Sequence, residues 1–386
     1  MEKDVLFEIT KEHLETGMRG YPVGYCTTSS VDEKKGLFYV DNPVSEMSDF
    51  DPIEVVYLLF HKKLGEKKEV DSFKEELISR SKCSDEFVDH VTKLPRKGHP
   101  MSLFASALQV LGMVEKVGDY REDCLNIIAK LPFVAATVIN YHANVGLVKE
   151  NRPEMGYMEN FTHMLNLSMG RKDLLCEVLR RFNILHYDHG GGNLSVFVGK
   201  AVASGLQHMY GALSAAMNGL AGARHGKANQ DCLEFVKKIQ GELGDNPSES
   251  EIEKFLKSRL EHHDLIFGFG HAVLRVEDPR ATIFYDFAQK HFSSHSLVKI
   301  ALILRKVGTK ILQENPKIHD PYPNVDAISG SVLSAAGFTY PEYFTILFGL
   351  ARCVGIAIQI VYERLEAREG KGTPIIRPRY IFKPQQ

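Results

Sequence analysis

The sequence predicts an all-α protein, built as a large helical domain with a smaller helical domain inserted into it. Three observations predict this. Four long apolar stretches repeat at helical spacing, strand signals are brief and confined to one place near the start, and two polar, proline-containing stretches break the chain late in its course.

The elements follow in order. "TTSSV" and "GLFYV" alternate only briefly, which predicts a minor N-terminal hairpin. "SLFASALQVLGMVEKV" (Ser102 to Val117), "CLNIIAKLPFVAATVINYHA" (Cys124 to Ala143), "MYGALSAAMNGLAGA" (Met209 to Ala223) and "SLVKIALILRKVGTKIL" (Ser296 to Leu312) place apolar residues every three or four positions, the pattern of a helix with one buried face. Thr339-Tyr340-Pro341-Glu342 has the Thr-x-x-Glu form of a capping box, with proline where the first turn needs no N–H. It predicts one long C-terminal helix reaching about Gly370. Part of that stretch, Tyr343 to Val361, is apolar enough to suggest a membrane, but Arg352 near its centre would cost about 2.5–3.5 kcal/mol there. A buried helix is expected, with no membrane contact.

With 386 residues the chain is long enough to divide, since single cores stop growing at roughly 250–300 residues. "QGELGDNPSESEIEKFLKS" and "QENPKIHDPYP" mark the seams. They suggest a small domain over residues 226–330, with 1–225 and 331–386 forming the large one.

Charge narrows the partners. Lys and Arg number 47 against 49 Asp and Glu, so no overall field draws the protein to nucleic acid or anionic lipid. The six cysteines are scattered without a C-x-x-C pair, which argues against a zinc ribbon or a disulfide framework and fits a reducing compartment. "MEKDVLFEITKEHL" has neither an apolar signal core nor an acid-poor, Arg-rich transit pattern. A cytoplasmic location is expected.

Four stretches and one residue carry the candidate chemistry. "HYDHGGGNLS" offers His186, His189, Asn193 and Ser195 around three glycines, and its bland reading is a solvent-facing loop. Its His-x-x-His lacks the helical HExxH frame and has no thiol beside it, so no metal site is expected. "NGLAGARHGKANQ" holds His225, either a capping or core histidine or a functional one; at a helix N-terminus the dipole would keep it neutral. "GFGHAVLRVEDPRA" sets His271, Arg275 and Arg280 behind two glycines, but Val273 stands where the dinucleotide fingerprint needs its third. Glycines there let a ligand approach bare backbone. Asp326, in "PYPNVDAISG", is as readable as a cap for the helix that "AISGSVLSAAGF" begins as it is as a functional residue. Arg352 needs an anionic partner amid its apolar neighbours, from the protein or from a ligand carboxylate.

Taken together, "HYDHGGGNLS", "AMNGLAGARHGKANQD", "GFGHAVLRVEDPRA", "YPNVDAISG", "LFGLARCVGIAIQ" and "IIRPR" resemble the citrate synthase family, of the kind found in mitochondria and related bacterial forms. The resemblance runs in order from "TGMRGYP" to Arg377. It implies a nearly all-α fold whose small domain closes over the substrates, and a homodimer whose two sites each borrow a residue from the partner. It also implies condensation of acetyl-CoA with oxaloacetate, followed by hydrolysis of citryl-CoA. No cofactor is implied, acetyl-CoA being a substrate.

Residue by residue, the resemblance makes Asp326 the base, His225 the group that stabilises the enol(ate), and His271 the group that polarises the oxaloacetate carbonyl. Arg280, Arg352 and, across the dimer, Arg377 would hold carboxylates, with His189 as a further contact and Asn193 and Ser195 lining the site. The loop from Leu265 through Gly268, Phe269, Gly270, His271 and Ala272 would receive CoA through its main chain, helped by Arg19 and Asn324. Arg275 is open between CoA phosphates and solvent. The chain departs from the family pattern at Ile328, at Val196-Phe197, and at His319, where a phosphate-binding lysine is common, with Lys317 two residues earlier. Two rivals share the fold: a 2-methylcitrate synthase using propionyl-CoA, and a non-catalytic CoA- or carboxylate-binding protein.

Overall fold

A computed structural model describes residues 5–316 and 318–384. The expected hairpin is present as β1 (Ser29–Asp32) and β2 (Gly36–Tyr39), paired antiparallel, with a two-residue strand β3 (Asn42–Pro43) added to β2. Among the described residues the other regular elements are helices, joined by turns and loops.

Among the described residues nine α-helices precede the boundary expected at residue 226: α1 (Pro52–His61), α2 (Lys67–Arg80), α3 (Asp85–Val91), α4 (Pro100–Glu115), α5 (Tyr120–Ala143), α6 (Tyr157–Met164), α7 (Lys172–His186), α8 (Leu194–Ser204) and α9 (Met209–Leu220). Six follow: α10 (Ala228–Leu243), α11 (Glu249–Glu261), α12 (Pro279–Phe292), α13 (Ser296–Gln313), α14 (Asp326–Ala335) and α15 (Phe344–Val361). All four stretches with helical periodicity are helices, and local chemistry sets several starts. Asp51 caps α1 and Asp278 caps α12, each followed by proline at the first helical position, where no N–H is needed.

The C-terminal helix differs from its expected form. Residues Pro341–Tyr343 form a 3₁₀ turn with no side-chain cap, so the Thr339/Glu342 capping box is not made and α15 begins at Phe344. Its far end passes into a π-helical turn, Tyr362–Glu366, and positive φ at Arg368, Glu369 and Gly370 prevents continuation to Gly370. Every residue of α15 except Phe348 is buried. Along the apolar windows of α5 and of the Pro341–Glu366 stretch, 78% and 94% of residues lie inside the protein, so both are core helices despite their membrane-like length.

α15 packs on α5, α7, α8 and α9, while α10 to α14 pack largely on one another. α14 runs unbroken across Gly330, so a boundary drawn there falls inside a helix. Between the two groups of helices, close to the α7–α8 turn, lies the site.

Candidate active site

A cavity of about 130 Å³ is lined by His186, His189, Asn193, His225, His271, Arg280, Asn324, Val325, Asp326, Phe348 and Arg352. These residues come from the end of α7, the turns before α8 and α10, the loop before α12, the starts of α12 and α14, and the middle of α15.

His225 sits in the turn between α9 and α10, three residues ahead of the helix, so the dipole expected to hold it neutral is not what acts on it. Burial and then the Arg352 charge lower its pKa to about 4. Its tautomer follows from Ser195. The Ser195 backbone N–H can only donate, and it points at His225 Nε2 (3.4 Å), with Ser195 Oγ 2.8 Å from the same nitrogen. Nε2 therefore accepts, and the neutral ring carries its proton on Nδ1.

His271 is fixed the opposite way. Its Nδ1 accepts from the backbone N–H groups of Val273 (3.0 Å) and Leu274 (2.9 Å), so its proton is on Nε2. Burial, then the Arg280 charge, lowers its pKa to about 4. The ring lies 5.1 Å from that of His189, whose own pKa is pushed well below the ordinary value by burial. Among the described residues, His189 Nε2 is buried without a hydrogen-bond partner. An orphaned imidazole nitrogen beside two guanidinium groups suits a ligand carboxylate.

Asp326 is the first residue of α14, but its side chain makes no cap. Its backbone N–H is held by Asn324 Oδ1 at 3.1 Å. Burial outweighs the nearby Arg280 and lifts its pKa to about 6. A half-buried carboxyl poised there can take a proton from a weak carbon acid.

The arginines differ. Asp278 holds Arg280 through Nε (3.0 Å) and Nη2 (2.6 Å) while also capping α12. Burial raises the Asp278 pKa, but Arg280 more than reverses it, so this carboxyl stays below its ordinary range. Arg352 donates from Nε to His186 O (3.0 Å) and lies 4.9 Å from the centre of the Phe348 ring. Among the described residues no carboxylate pairs with it, and burial lowers its pKa to about 10.

The loop from 265 to 271 is laced to the chain before α14. Gly268 O accepts from the Asn324 N–H and Gly270 O from Asn324 Nδ2, while Gly270 N–H donates to Tyr322 O. Gly268 has φ +85°, and a Cβ there would lie 2.8 Å from Ala327 Cα. Leu265 O is taken by Arg259, and the Phe269 ring packs against Gly308 of α13. Leu265 O, Gly268 O and Gly270 O thus each accept a hydrogen bond from within the protein. Ala272 is exposed on the same loop. Arg275 is exposed and donates from Nη1 to the carbonyls of Val273 (3.0 Å) and Leu274 (2.6 Å), and it is not among the residues that line the cavity. Arg19, His319 and Arg377 are exposed and line no part of this chain's cavity, and Lys317 lies outside the described residues.

Sequence reasoning gave no role to three cavity neighbours: Asp278, Phe348 and His186. Asp278-Pro279 is readable as a helix cap but not as a guanidinium partner. Phe348 stands one turn before Arg352, a spacing that would have suggested contact. His186 is buried, keeps a pKa of about 3 through burial and the Arg280 charge, and hydrogen-bonds Phe182 O through Nδ1 at 2.7 Å.

The fold and site define an all-α enzyme whose cleft gathers neutral imidazoles, a carboxyl group and two buried guanidinium groups. A family model described as "Citrate synthase, C-terminal domain" matches residues 17–379. Citrate synthase 4, mitochondrial, of Arabidopsis thaliana is 33% identical over 383 residues, 93% of this chain and 80% of that one. The peroxisomal citrate synthase of Saccharomyces cerevisiae is 31% identical over 386 residues, 94% of this chain and 83% of that one. The chain belongs to the citrate synthase family, whose enzymes are acyltransferases. In fold it resembles citrate synthase from Thermotoga maritima, with TM-score 0.81, 25% identity and 96% of each chain covered. A Thermoplasma acidophilum citrate synthase, solved with carboxymethyl coenzyme A and oxaloacetate, has the same fold at TM-score 0.80 and 23% identity, covering 96% of this chain and 97% of that one.

Proposed function

We infer that this chain condenses acetyl-CoA with oxaloacetate and hydrolyses the resulting citryl-CoA to citrate and CoA, as a citrate (Si)-synthase of the mitochondrial-like type. One observation carries the reading: His225 and His271 are neutral and hold opposite tautomers beside an Asp326 whose pKa is raised to about 6. Asp326 takes a proton from the acetyl methyl group. The electrons of that C–H bond pass into the thioester, whose oxygen accepts a hydrogen bond from His225 Nδ1–H. The enolate carbon then bonds to the ketone carbon of oxaloacetate, and His271 Nε2–H supplies the proton to the ketone oxygen, the proton held by Asp326 making good the one His271 gives up. Water finally cleaves the thioester, giving a carboxylate and the CoA thiol.

Arg352, which has no carboxylate of its own, together with Arg280 and His189, holds the carboxylates of oxaloacetate through paired donors. Asn193 and Ser195 line the site, and Arg19, Asn324 and the 265–272 loop meet CoA. Arg377 acts in the site of a second copy. Support for that dimer comes from the tail around it, where Ile375, Tyr380 and Phe382 are 65%, 93% and 87% exposed. Ile376 N–H anchors the tail to Ser204 Oγ at 2.9 Å. The 226–330 segment closes on the remainder when oxaloacetate binds, excluding water from the thioester. Six free cysteines fit the cytoplasmic location proposed for it.

The test is a parallel assay of kcat/KM for acetyl-CoA and propionyl-CoA with identification of the product. Citrate formed with preference for acetyl-CoA is expected. A clear preference for propionyl-CoA would make the chain a 2-methylcitrate synthase, because one methylene is worth only about 1–3 kcal/mol in an apolar pocket. Binding of both substrates without turnover would make it a non-catalytic member of the fold.

A further inference from the structure

Behind His189 lies a buried polar chain that, beyond Arg352, takes no part in the reaction above. It starts on one face of α15, where positions 352, 355 and 359 follow the spacing that aligns residues along a helix. Each position grips the next piece of the chain leading to His189. Arg352 Nε donates to His186 O at 3.0 Å, and the Gly355 N–H donates to Tyr187 O at 3.2 Å. Gln359 Nε2 donates to both Asp188 oxygens, at 2.8 and 3.0 Å, and to Gly190 O at 3.3 Å. Gly355 allows this close approach, since a Cβ there would lie 2.3 Å from Tyr187 O.

Asp188 is fully buried, and among the described residues no cation lies within ion-pair distance of it. Besides Gln359 it accepts from the Thr28 hydroxyl and from the His189 backbone N–H (2.9 Å), so only neutral donors hold the carboxylate. Gln359 itself is 1% exposed, and its orientation is fixed from behind. Lys200 Nζ donates to Gln359 Oε1 at 3.3 Å and pairs with Glu363 at 2.9 Å, in the π-helical turn after α15. The amide cannot flip without pointing its oxygen at a carboxylate and its N–H groups at an ammonium.

We propose that Gln359 is a positioning residue for oxaloacetate binding: by holding Asp188 and Gly190 it fixes the turn from which His189 faces the substrate. The inference rests on the reading of His189 as a carboxylate contact. Gln359 touches no substrate and acts only through that turn. Removing its amide leaves Asp188 without two donors, and the turn has to move to rehydrate the carboxylate.

The experiment measures oxaloacetate affinity of the full chain by calorimetry, together with KM for both substrates and the melting temperature. Gln359→Leu is expected to weaken oxaloacetate binding about tenfold or more, as loss of a hydrogen bond to a charged group implies, with KM for acetyl-CoA changed less than about twofold. Gln359→Glu should weaken it similarly. The double variant Gln359→Glu with Asp188→Asn restores a donor and acceptor facing each other in reverse, and should recover affinity to within about threefold of wild type. This pair also serves if the leucine variant fails to fold. A wild-type affinity in Gln359→Leu overturns the inference, as does equal weakening for both substrates or a folded double variant no better than its parents. His189→Gln separates the two layers: if it binds oxaloacetate normally, the reading of His189 falls and the inference with it. If it weakens binding while Gln359→Leu does not, only the positioning role falls.

Discussion

Ser195 directs both its backbone N–H and its hydroxyl at His225 Nε2, at 3.4 and 2.8 Å, and thereby decides which nitrogen of that ring faces the cleft as a donor. The backbone donor survives when the hydroxyl is removed. Ser195→Ala is therefore expected to lower kcat only several-fold, whereas His225→Ala, which removes the donor to the forming enolate, should lower it about 10²–10³-fold. Steady-state kinetics of the two variants decides this. Equal losses would mean that the hydroxyl, not the backbone, sets the tautomer.

Asp326 predicts a pH profile. With its carboxyl raised to about 6 by burial, the base is protonated and idle below that pH and free above it. The acid limb of kcat/KM for acetyl-CoA should bend near pH 6, well above the ordinary aspartate value. Asp326→Ala should stop CoA release while leaving oxaloacetate binding intact, which calorimetry alongside a thiol assay can read.

The two buried arginines should respond oppositely to replacement. Arg280→Leu strands the buried Asp278 carboxylate and is expected to destabilise the fold by about 3–5 kcal/mol. Arg352 has no such partner, so Arg352→Leu should leave the melting temperature of the unliganded protein unchanged or higher. It should nevertheless abolish the rise in melting temperature that oxaloacetate produces in the wild type. Thermal unfolding with and without oxaloacetate measures both.

Gly268 meets two constraints at once, a φ of +85° and a Cβ position 2.8 Å from Ala327 Cα. Gly268→Ala has to push the loop away from the start of α14, separating His271 from Asp326. A loss of roughly 1–3 kcal/mol in stability is expected from such backbone strain, with a disproportionate fall in kcat. Chemical denaturation and kinetics on the same preparation test the two parts.

Acid should unfold the protein earlier than its surface charge implies. His186 is buried with its pKa lowered to about 3, so below the unfolded value of 6.5 the unfolded chain takes up a proton that the folded one refuses. Stability from this group is complete above pH 6.5 and is lost progressively as the pH falls toward 3, at up to about 1.4 kcal/mol per pH unit. Denaturant midpoints between pH 7 and 4 should fall steadily, and His186→Gln should flatten the slope.

Much of this protein was legible along the chain, because helical periodicity and proline and acidic caps are local signals. The hairpin, the four long apolar helices and the burial of Arg352 could all be read that way. The Thr339 to Glu342 box misled for the same reason: its residues fit a cap, but the backbone turns as a 3₁₀ segment before α15 and the side chains never close on it. The site's members were legible as unusual polar residues in apolar or glycine-rich settings. Their pairings were not. Composition and spacing fix the fold class, and the motifs shared with the citrate synthase family mark most of the residues at the cleft. Only the tertiary structure decided that Asp278 neutralises Arg280 while Arg352 waits for an outside anion. It also decided that His225 and His271 carry their protons on opposite nitrogens, and that Gln359 reaches Asp188 across 171 positions. Those outcomes depend on which groups meet in space after burial has removed water, and no local pattern in the chain records that.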